Sequence, residues 1–490
     1  MGNNEHTIVY LIGMGPGNSD CLTREAVQAL SQATVCIGAS RMLAIWKSLC
    51  EEDGRDAEQT FYNAYKAEEI AKLIQNHVGE MIAVVFSGDI GFYSGAKKLS
   101  MMLRKAVGKV CNMVDDTTGT TEQIQADKTI YELCYIPGLS SVQYLFDKIG
   151  WAWEDAELIS NHGVSANIPA KVLHHAKVGT LLGGENQVAE VCKRLTEVGL
   201  GEIAVVVGER LSYPDEKITK KYAKNLCEET FDKLAVAIFI NDHPQPRRLA
   251  PGIKDEMFIR GKVPMTKEEV RMVVIAKLGI QEDTGLVKYD QNSGQCMTSN
   301  PAPVIYDVGA GTGSVSIELS LLTEQGTVYA IEKKPEAVEL LHANREKFHV
   351  GNMEILAGEA SEVIPTLPAP THVFIGGSSG NLLKIVEQVY TKNPDVCIVV
   401  TAVTMETQAE LLALAEVAKK REKSVDMVQM AVTRSREVCA YHMQQAENPV
   451  WIATIGLKMD RSSWGETMEH RNQIQVNTPR VMFAAMRSGS

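Results

Sequence analysis

The sequence has no uninterrupted apolar run long enough to cross a bilayer, no paired cysteines and no excess of positive charge. Each shortage excludes something. Without about 20 consecutive apolar residues a membrane-spanning helix is not expected. The opening MGNNEHT lacks the basic-then-apolar pattern of a secretory signal, so a cytoplasmic address is expected. The ten cysteines stand singly, with no C-x-x-C pair and no spacing that would gather ligands around a metal, so they read as small apolar residues kept reduced. His174 and His175 fall on one helical stretch and read as surface, and no metal site is expected. A formal net charge of −12 argues against nucleic-acid binding, because a phosphate backbone needs a positive surface. Any anionic substrate must therefore be met by local basic residues.

What is present is a chain of 490 residues with 45% hydrophobic and 22% charged residues, too long for one ordinary core and suited to two domains. From Ile8 to about Ile240, β-branched runs (TIVYLIG, ATVCIGA, MIAVVFSG, YELCYIPG, VGTLLGG, IAVVVGE, LAVAIFIN) alternate with amphipathic helices. Several runs end on glycine, which points to an α/β fold with its ligand site at the C-terminal ends of the strands. The polar stretch between Gly108 and Ile130 reads as an exposed excursion. Three prolines in NDHPQPRRLAPGIKDEMF place a linker over residues 242–257, between a first domain (1–241) and a second (258–456). Thr266 is expected to cap the helix TKEEVRMVVIAKLGI, after which a second βαβ pattern begins. Residues 457–490 read as a tail without periodicity.

Two glycine loops of different design stand out. In DVGAGTGSVSIEL, Asp307 ends a strand, and Gly309, Gly311 and Gly313 let the backbone turn close to a ligand, with Thr312 between them. The dinucleotide fingerprint wants GxGxxG, but Ser314 occupies the place of its third glycine. That tilts the reading from a nicotinamide cofactor to S-adenosylmethionine. Glu332 ends the next strand, where a carboxylate can accept ribose hydroxyls. Glu359 and Ala360 (in GEAS) and Gly376 and Gly377 (in FIGG) end the following two strands and complete the candidate cofactor set.

The earlier loop, GMGPGN, is shaped rather than made flexible, because Pro16 fixes its own φ and lacks an N–H. With LTREAVQALSQATV after it, the segment resembles the tetrapyrrole methylase family, and VVFSGDIGFYSGA, IPGLSSVQ and VGERLSYPDEKI are similar to that family's later loops. The resemblance implies two α/β subdomains with a site between them. It implies cofactor contacts at Gly13, Gly15, Pro16, Gly17, Gly88, Asp89, Ser140 and Ser141, with Tyr93 facing substrate.

The second half, from PMTKEEVRMVVIAKLGI to ENPVWIATI, resembles the decarboxylating precorrin methylases. The two halves in this order resemble the fused precorrin-6Y C5,15-methyltransferases (decarboxylating). What the resemblance implies is a Rossmann-like class I methyltransferase domain behind the first, one S-adenosylmethionine site per domain, and a tetrapyrrole substrate on the route to cobalamin. It also implies C5 methylation by the first domain, C15 methylation with loss of CO2 by the second, and a homo-oligomer. The substrate's carboxylates need donors, for which Arg271, Arg434 and Arg436 are candidates, and His442 is a candidate proton donor. Action on another tetrapyrrole, or a binding role with one degenerate domain, is the alternative.

Overall fold

The computed structural model of the protein describes residues 5–54, 59–107, 110–111, 121–126, 129–160, 167–184, 187–280, 288–290, 295–297 and 302–456. The expected tail lies outside the described residues.

Seven strands form the first sheet: β1 (Glu5–Gly13), β2 (Val35–Gly38), β3 (Thr60–Asn63), β4 (Met81–Phe86), β5 (Val110–Cys111), β6 (Thr121–Ala126) and β7 (Thr129–Ile136). Their order is β3-β2-β4-β1-β7-β6-β5. β1 is parallel to both neighbours, with Gly13 opposite Phe86 and Ile12 opposite Ile136. Val9, Leu11 and Ile12 are all fully buried, because helices cover both faces. Such strands are apolar throughout rather than alternating. Thr23 opens the helix Arg24–Gln32 by accepting the Ala26 N–H on its hydroxyl at 3.0 Å, and Ala26, Ala29 and Leu30 turn its apolar face inward. The expected excursion at 108–130 is partly structured instead: β6 pairs antiparallel with β7 and extends the sheet.

A second sheet follows, from β8 (Glu157–Ser160), β9 (Lys177–Leu181), β10 (Ala204–Glu209), β11 (Lys217–Tyr222) and β12 (Val236–Ile240), in the order β11-β10-β12-β9-β8. The helix Ser141–Lys148, which leaves the end of β7, lies on this second sheet. Gly179 makes room for it, since a Cβ there would sit 2.8 Å from Val142 and 2.9 Å from Phe146. One helix thus joins the two subdomains. The lysine-rich β11 forms the exposed edge, where charge discourages further strand pairing.

The second unit contains the short hairpin β13 (Lys288–Asp290) and β14 (Gln295–Met297). Its main sheet is formed by β15 (Val304–Val308), β16 (Thr327–Glu332), β17 (Met353–Ala357), β18 (His372–Ile375), β19 (Cys397–Ala402), β20 (Ser424–Met430) and β23 (Val450–Gly456). Between the last two, β21 (Thr433–Val438) and β22 (Tyr441–Ala446) make an exposed hairpin. The sheet order is β17-β16-β15-β18-β19-β23-β20, with β23 antiparallel to its neighbours. The order reverses beside β15, and in open sheets such a switch point opens the ligand crevice.

Two expectations change here. The chain joins the second core before Phe258, since Ile253 is already 1% exposed and packs with Phe258, Ile317 and Leu341. The helix after the linker spans Glu268–Leu278 with Lys267 at its cap. Thr266 contributes its carbonyl, not its hydroxyl, accepting from Arg271 Nη1 at 2.6 Å.

The two units touch directly. Arg194 donates from Nε and Nη2 to the Gly351 carbonyl at 3.1 and 2.7 Å, Lys171 meets Glu324 at 2.7 Å, and His349 Nδ1 lies 2.8 Å from the Val198 carbonyl. Gly351 lies so close to Pro169 that a Cβ would fall 2.5 Å from that ring.

Candidate functional site

The N-terminal cleft, about 580 Å³, lies between the two subdomains. Its floor is backbone. A Cβ on Gly13 would lie 2.6 Å from the Gly138 nitrogen and 2.7 Å from the Gly88 oxygen, so the ends of β1, β4 and β7 meet with no side chain between them. Gly15 and Gly88 exchange two hydrogen bonds, at 3.2 and 2.9 Å, and both have positive φ (71° and 70°). Pro16, Gly88, Asp89, Ser140, Ser141 and Tyr93 all line the cleft. Asp89 serves the loops themselves: Oδ1 accepts from the Gly91 N–H at 2.7 Å and Oδ2 from the Gly138 N–H at 3.0 Å. Ser140 caps the helix Ser141–Lys148. Tyr93 is 62% exposed and adopts φ 49°. Gly17 lines the neighbouring pocket instead, under the Tyr213 ring, which a Cβ would strike at 2.2 Å.

Three cleft residues escaped the sequence reading. Arg41, on the first turn of the helix Ser40–Glu52, donates to Tyr213 Oη at 2.7 Å and to Ser87 Oγ at 2.8 Å. Arg210 lies over the Tyr213 ring at 4.9 Å and is held by Asp215. Arg210 and Ser212 have φ 48° and 69°, a costly conformation for residues with a Cβ that here sets the position of Tyr213. The signal available in the sequence was position: Arg41 follows the end of β2, as the glycine loops follow β1 and β4.

The C-terminal cleft, about 200 Å³, opens at the ends of β15, β16, β17 and β18. Gly309, Gly311, Glu332, Glu359, Ala360, Gly376 and Gly377 line it. Gly309 (φ 73°) permits a close approach, its missing Cβ falling 2.7 Å from the Gly377 oxygen. Glu332 accepts the Gly311 N–H on Oε2 at 2.9 Å, and the N–H groups of Lys333 and Lys334 on Oε1 at 2.9 and 3.0 Å. A carboxylate has about four acceptor sites, so one remains for a hydroxyl in the cleft. Lys333 pairs with Glu359 at 3.2 Å.

Asp307, Thr312 and Gly313, expected to touch the cofactor, lie beneath the loop instead. Asp307 is fully buried and accepts from the Ser316 hydroxyl, leaving Oδ1 without a partner. Burial pushes its carboxyl up to about 7, with Glu332 adding to the rise. Thr312 is 1% exposed, and Gly313 lies over Leu341, which a Cβ would meet at 2.6 Å. These residues shape the loop from below.

The candidate substrate donors are not brought together. Arg271 is fully buried, bonded to Glu318, Asp255 and the carbonyls of Thr266 and Ile253, which corrects its expected substrate role: it ties the linker to the second domain. Arg434 pairs with Glu269 at 2.5 Å and Glu447 at 3.2 Å. It lies on a strand, not on a turn, as does Arg436. His442 is 70% exposed, 3.5 Å from Glu437. Neither Arg436 nor His442 lines the C-terminal cleft. Among the described residues no group of side chains suited to a metal occurs.

Comparison with known proteins divides along the same boundary. Residues 8–110 match the family of tetrapyrrole (corrin/porphyrin) methylases, and residues 295–455 match the precorrin methyltransferase domain. A cobalt-precorrin-6B C(15)-methyltransferase (decarboxylating) of Salmonella typhimurium is 37% identical over 203 residues, 41% of this chain and 93% of that protein. A probable enzyme of the same name from Pyrobaculum calidifontis is 36% identical over 208 residues, 42% of this chain and 95% of its own. A precorrin-6Y C(5,15)-methyltransferase [decarboxylating] of Sinorhizobium is 24% identical over 421 residues, 84% of this chain and 89% of that protein. The chain belongs to the precorrin-6Y C(5,15)-methyltransferase (decarboxylating) family. Within that family its two clefts are built differently: one is a seam between two sheets, the other the crevice of a single sheet. No helix among the described residues is long and apolar enough to cross a membrane.

Proposed function

We propose that the chain methylates a precorrin-6B-type tetrapyrrole at C5 and C15 and removes the ring C acetate carboxylate as CO2, a step of cobalamin biosynthesis. Residues 1–241 would methylate C5, and residues 258–456 would methylate C15 and decarboxylate. The observation that carries the reading is that one chain holds two glycine-floored clefts of unrelated construction, which would serve one methyl group each.

S-adenosylmethionine, bound in each cleft, supplies an electrophilic sulfonium methyl. The clefts fit such a group: Gly88 in the first and Gly309 and Gly377 in the second line them without a side chain, and Glu332 keeps one acceptor site that would serve a ribose hydroxyl. The ring carbon is an enamine-like nucleophile, so the protein's task is to align two partners and keep water out. In the first cleft Pro16 and Tyr213 fix the wall; in the second, Val263 and Pro264 lie over Gly311, whose missing Cβ would fall 3.0 Å from the Pro264 oxygen. Decarboxylation draws on the conjugated imines of the macrocycle as electron sink, and the protein must hold that acetate without a strong cationic partner. A homo-oligomer accords with this reading.

The test is the mass of the product formed from S-adenosylmethionine and the reduced hexamethylated precursor, with and without cobalt. Two added methyls with loss of CO2 are expected. No methyl gain on either macrocycle would defeat the assignment.

A further inference from the structure

The N-terminal cleft carries more positive charge than its loops need. Its lining includes three cations, Arg41, Arg210 and Lys233, and a single carboxylate, Asp89, in a chain of net charge −12. Asp89 spends both oxygens on backbone N–H groups. Arg210 is engaged by Asp215 at 2.5 Å. Arg41 differs from both.

Every partner of Arg41 is a neutral oxygen: the Tyr213 hydroxyl at 2.7 Å, the Ser87 hydroxyl at 2.8 Å and the Pro16 carbonyl at 3.4 Å. Among the described residues no carboxylate pairs with it. Three bonds leave part of a five-donor guanidinium uncommitted. They also lock its plane across the seam, because Pro16 and Ser87 follow strands of the first sheet while Tyr213 follows β10 of the second. Tyr213 is fixed in turn by Gly17 beneath its ring and by Arg210 on its face. The result is a half-buried, oriented and uncompensated guanidinium in a cleft wall, the arrangement suited to a carboxylate.

We propose that Arg41 binds a carboxylate in the N-terminal cleft. The inference rests on the functional reading above, in which two ligands carry that group: the macrocycle, on its acetate and propionate arms, and S-adenosylmethionine, on its amino-acid end. Arg41 is then the residue by which this site selects its charged ligand, a role that a neutral or merely cationic side chain fills less well.

The experiment uses the full chain and its Arg41→Gln and Arg41→Lys variants, each checked for folding by circular dichroism. Binding of S-adenosylmethionine is followed by calorimetry, and binding of uroporphyrin, an octacarboxylate macrocycle, by fluorescence. Arg41→Gln is expected to weaken one of the two ligands at least tenfold, and Arg41→Lys, which keeps the charge but loses the planar fork, to weaken it less. Loss confined to uroporphyrin assigns the macrocycle as the source; loss at one of two S-adenosylmethionine sites assigns the cofactor. Affinities of folded variants within threefold of wild type for both ligands overturn the proposal. Turnover of the wild type is measured separately: a wild type that binds but does not methylate defeats the functional reading, while the same binding comparison still decides Arg41.

Discussion

Arg271 and Glu318 form an ion pair sealed from solvent, with Nε 2.5 Å from Oε1 and side-chain exposures of 0% and 1%. Glu318 also accepts the N–H groups of Gly252 and Ile253, at 2.7 and 3.0 Å, so the pair fastens the incoming linker to the second domain. Removing one partner leaves the other charged and buried, which costs about 3–5 kcal/mol. Arg271→Met is therefore expected to lower the stability of the second domain by that order in urea unfolding. A variant as stable as wild type, with weakened substrate binding, would contradict this structural role.

The glycines of the two clefts are expected to respond unequally. Gly13→Ala forces a Cβ to within 2.8 Å of three backbone atoms of neighbouring loops, whereas Gly377→Ala meets nothing within 4 Å. Overpacking against backbone costs about 1–3 kcal/mol or more. Thermal melting should show a clear loss for the first and little change for the second, and equal melting temperatures would rule out the backbone-to-backbone floor.

Glu332 provides a domain-specific test. Glu332→Ala removes the acceptor of three loop N–H groups, and we expect one S-adenosylmethionine site to weaken by roughly ten- to a hundredfold, about 1.4–2.8 kcal/mol. The C5 methylation of the other domain should persist. Mass spectrometry would then find one added methyl with the acetate retained; full double methylation by this variant would refute the role.

Asp307 gives a pH dependence of definite sign. Its carboxyl is raised to about 7 by burial, above the value of about 3.9 in an unfolded chain. The folded state therefore holds the extra proton between these values, and the stabilisation present below about pH 4 is lost as pH rises through 7. Asp307→Asn lacks this titration. Between pH 5 and pH 8 the wild type should lose on the order of 2 kcal/mol relative to the variant; parallel unfolding curves at both pH values would exclude a raised carboxyl.

The buried strands were legible in the sequence because their apolar runs are continuous and end in glycine, as at Gly13 and Gly38. The edges were not. The strand KITKKY is an exposed edge with four polar residues in six, paired to β10 and tied by Lys217 to Glu209 and by Lys221 to Glu229, and the hairpin of β21 and β22 is exposed in the same way. In the clefts, Gly88, Gly309, Gly311, Gly376, Gly377 and Glu332 were legible because strand ends announce them, whereas Gly17 and Gly313 fall outside the two linings. Arg271 misled because an arginine on a helix reads as free to meet a substrate carboxylate. Its burial depends on Asp255 and Glu318, sixteen residues before it and forty-seven after. Tyr213 was obscure for a similar reason: only the second sheet brings it to Gly17 and Arg41.

The floor and the opposite wall of the first cleft are built from different materials, main chain and side chain. Where Gly13, Gly88 and Gly138 touch main chain to main chain, the floor is a continuation of the parallel sheet and shares its stiffness. The opposite wall hangs from the turn after β10, held by the Arg41 to Tyr213 bond and by two strained residues. The two sides of the cleft are thus held by different means: main-chain contact sets the spacing of the floor, and side-chain bonds from Arg41 and Arg210 set the place of the wall.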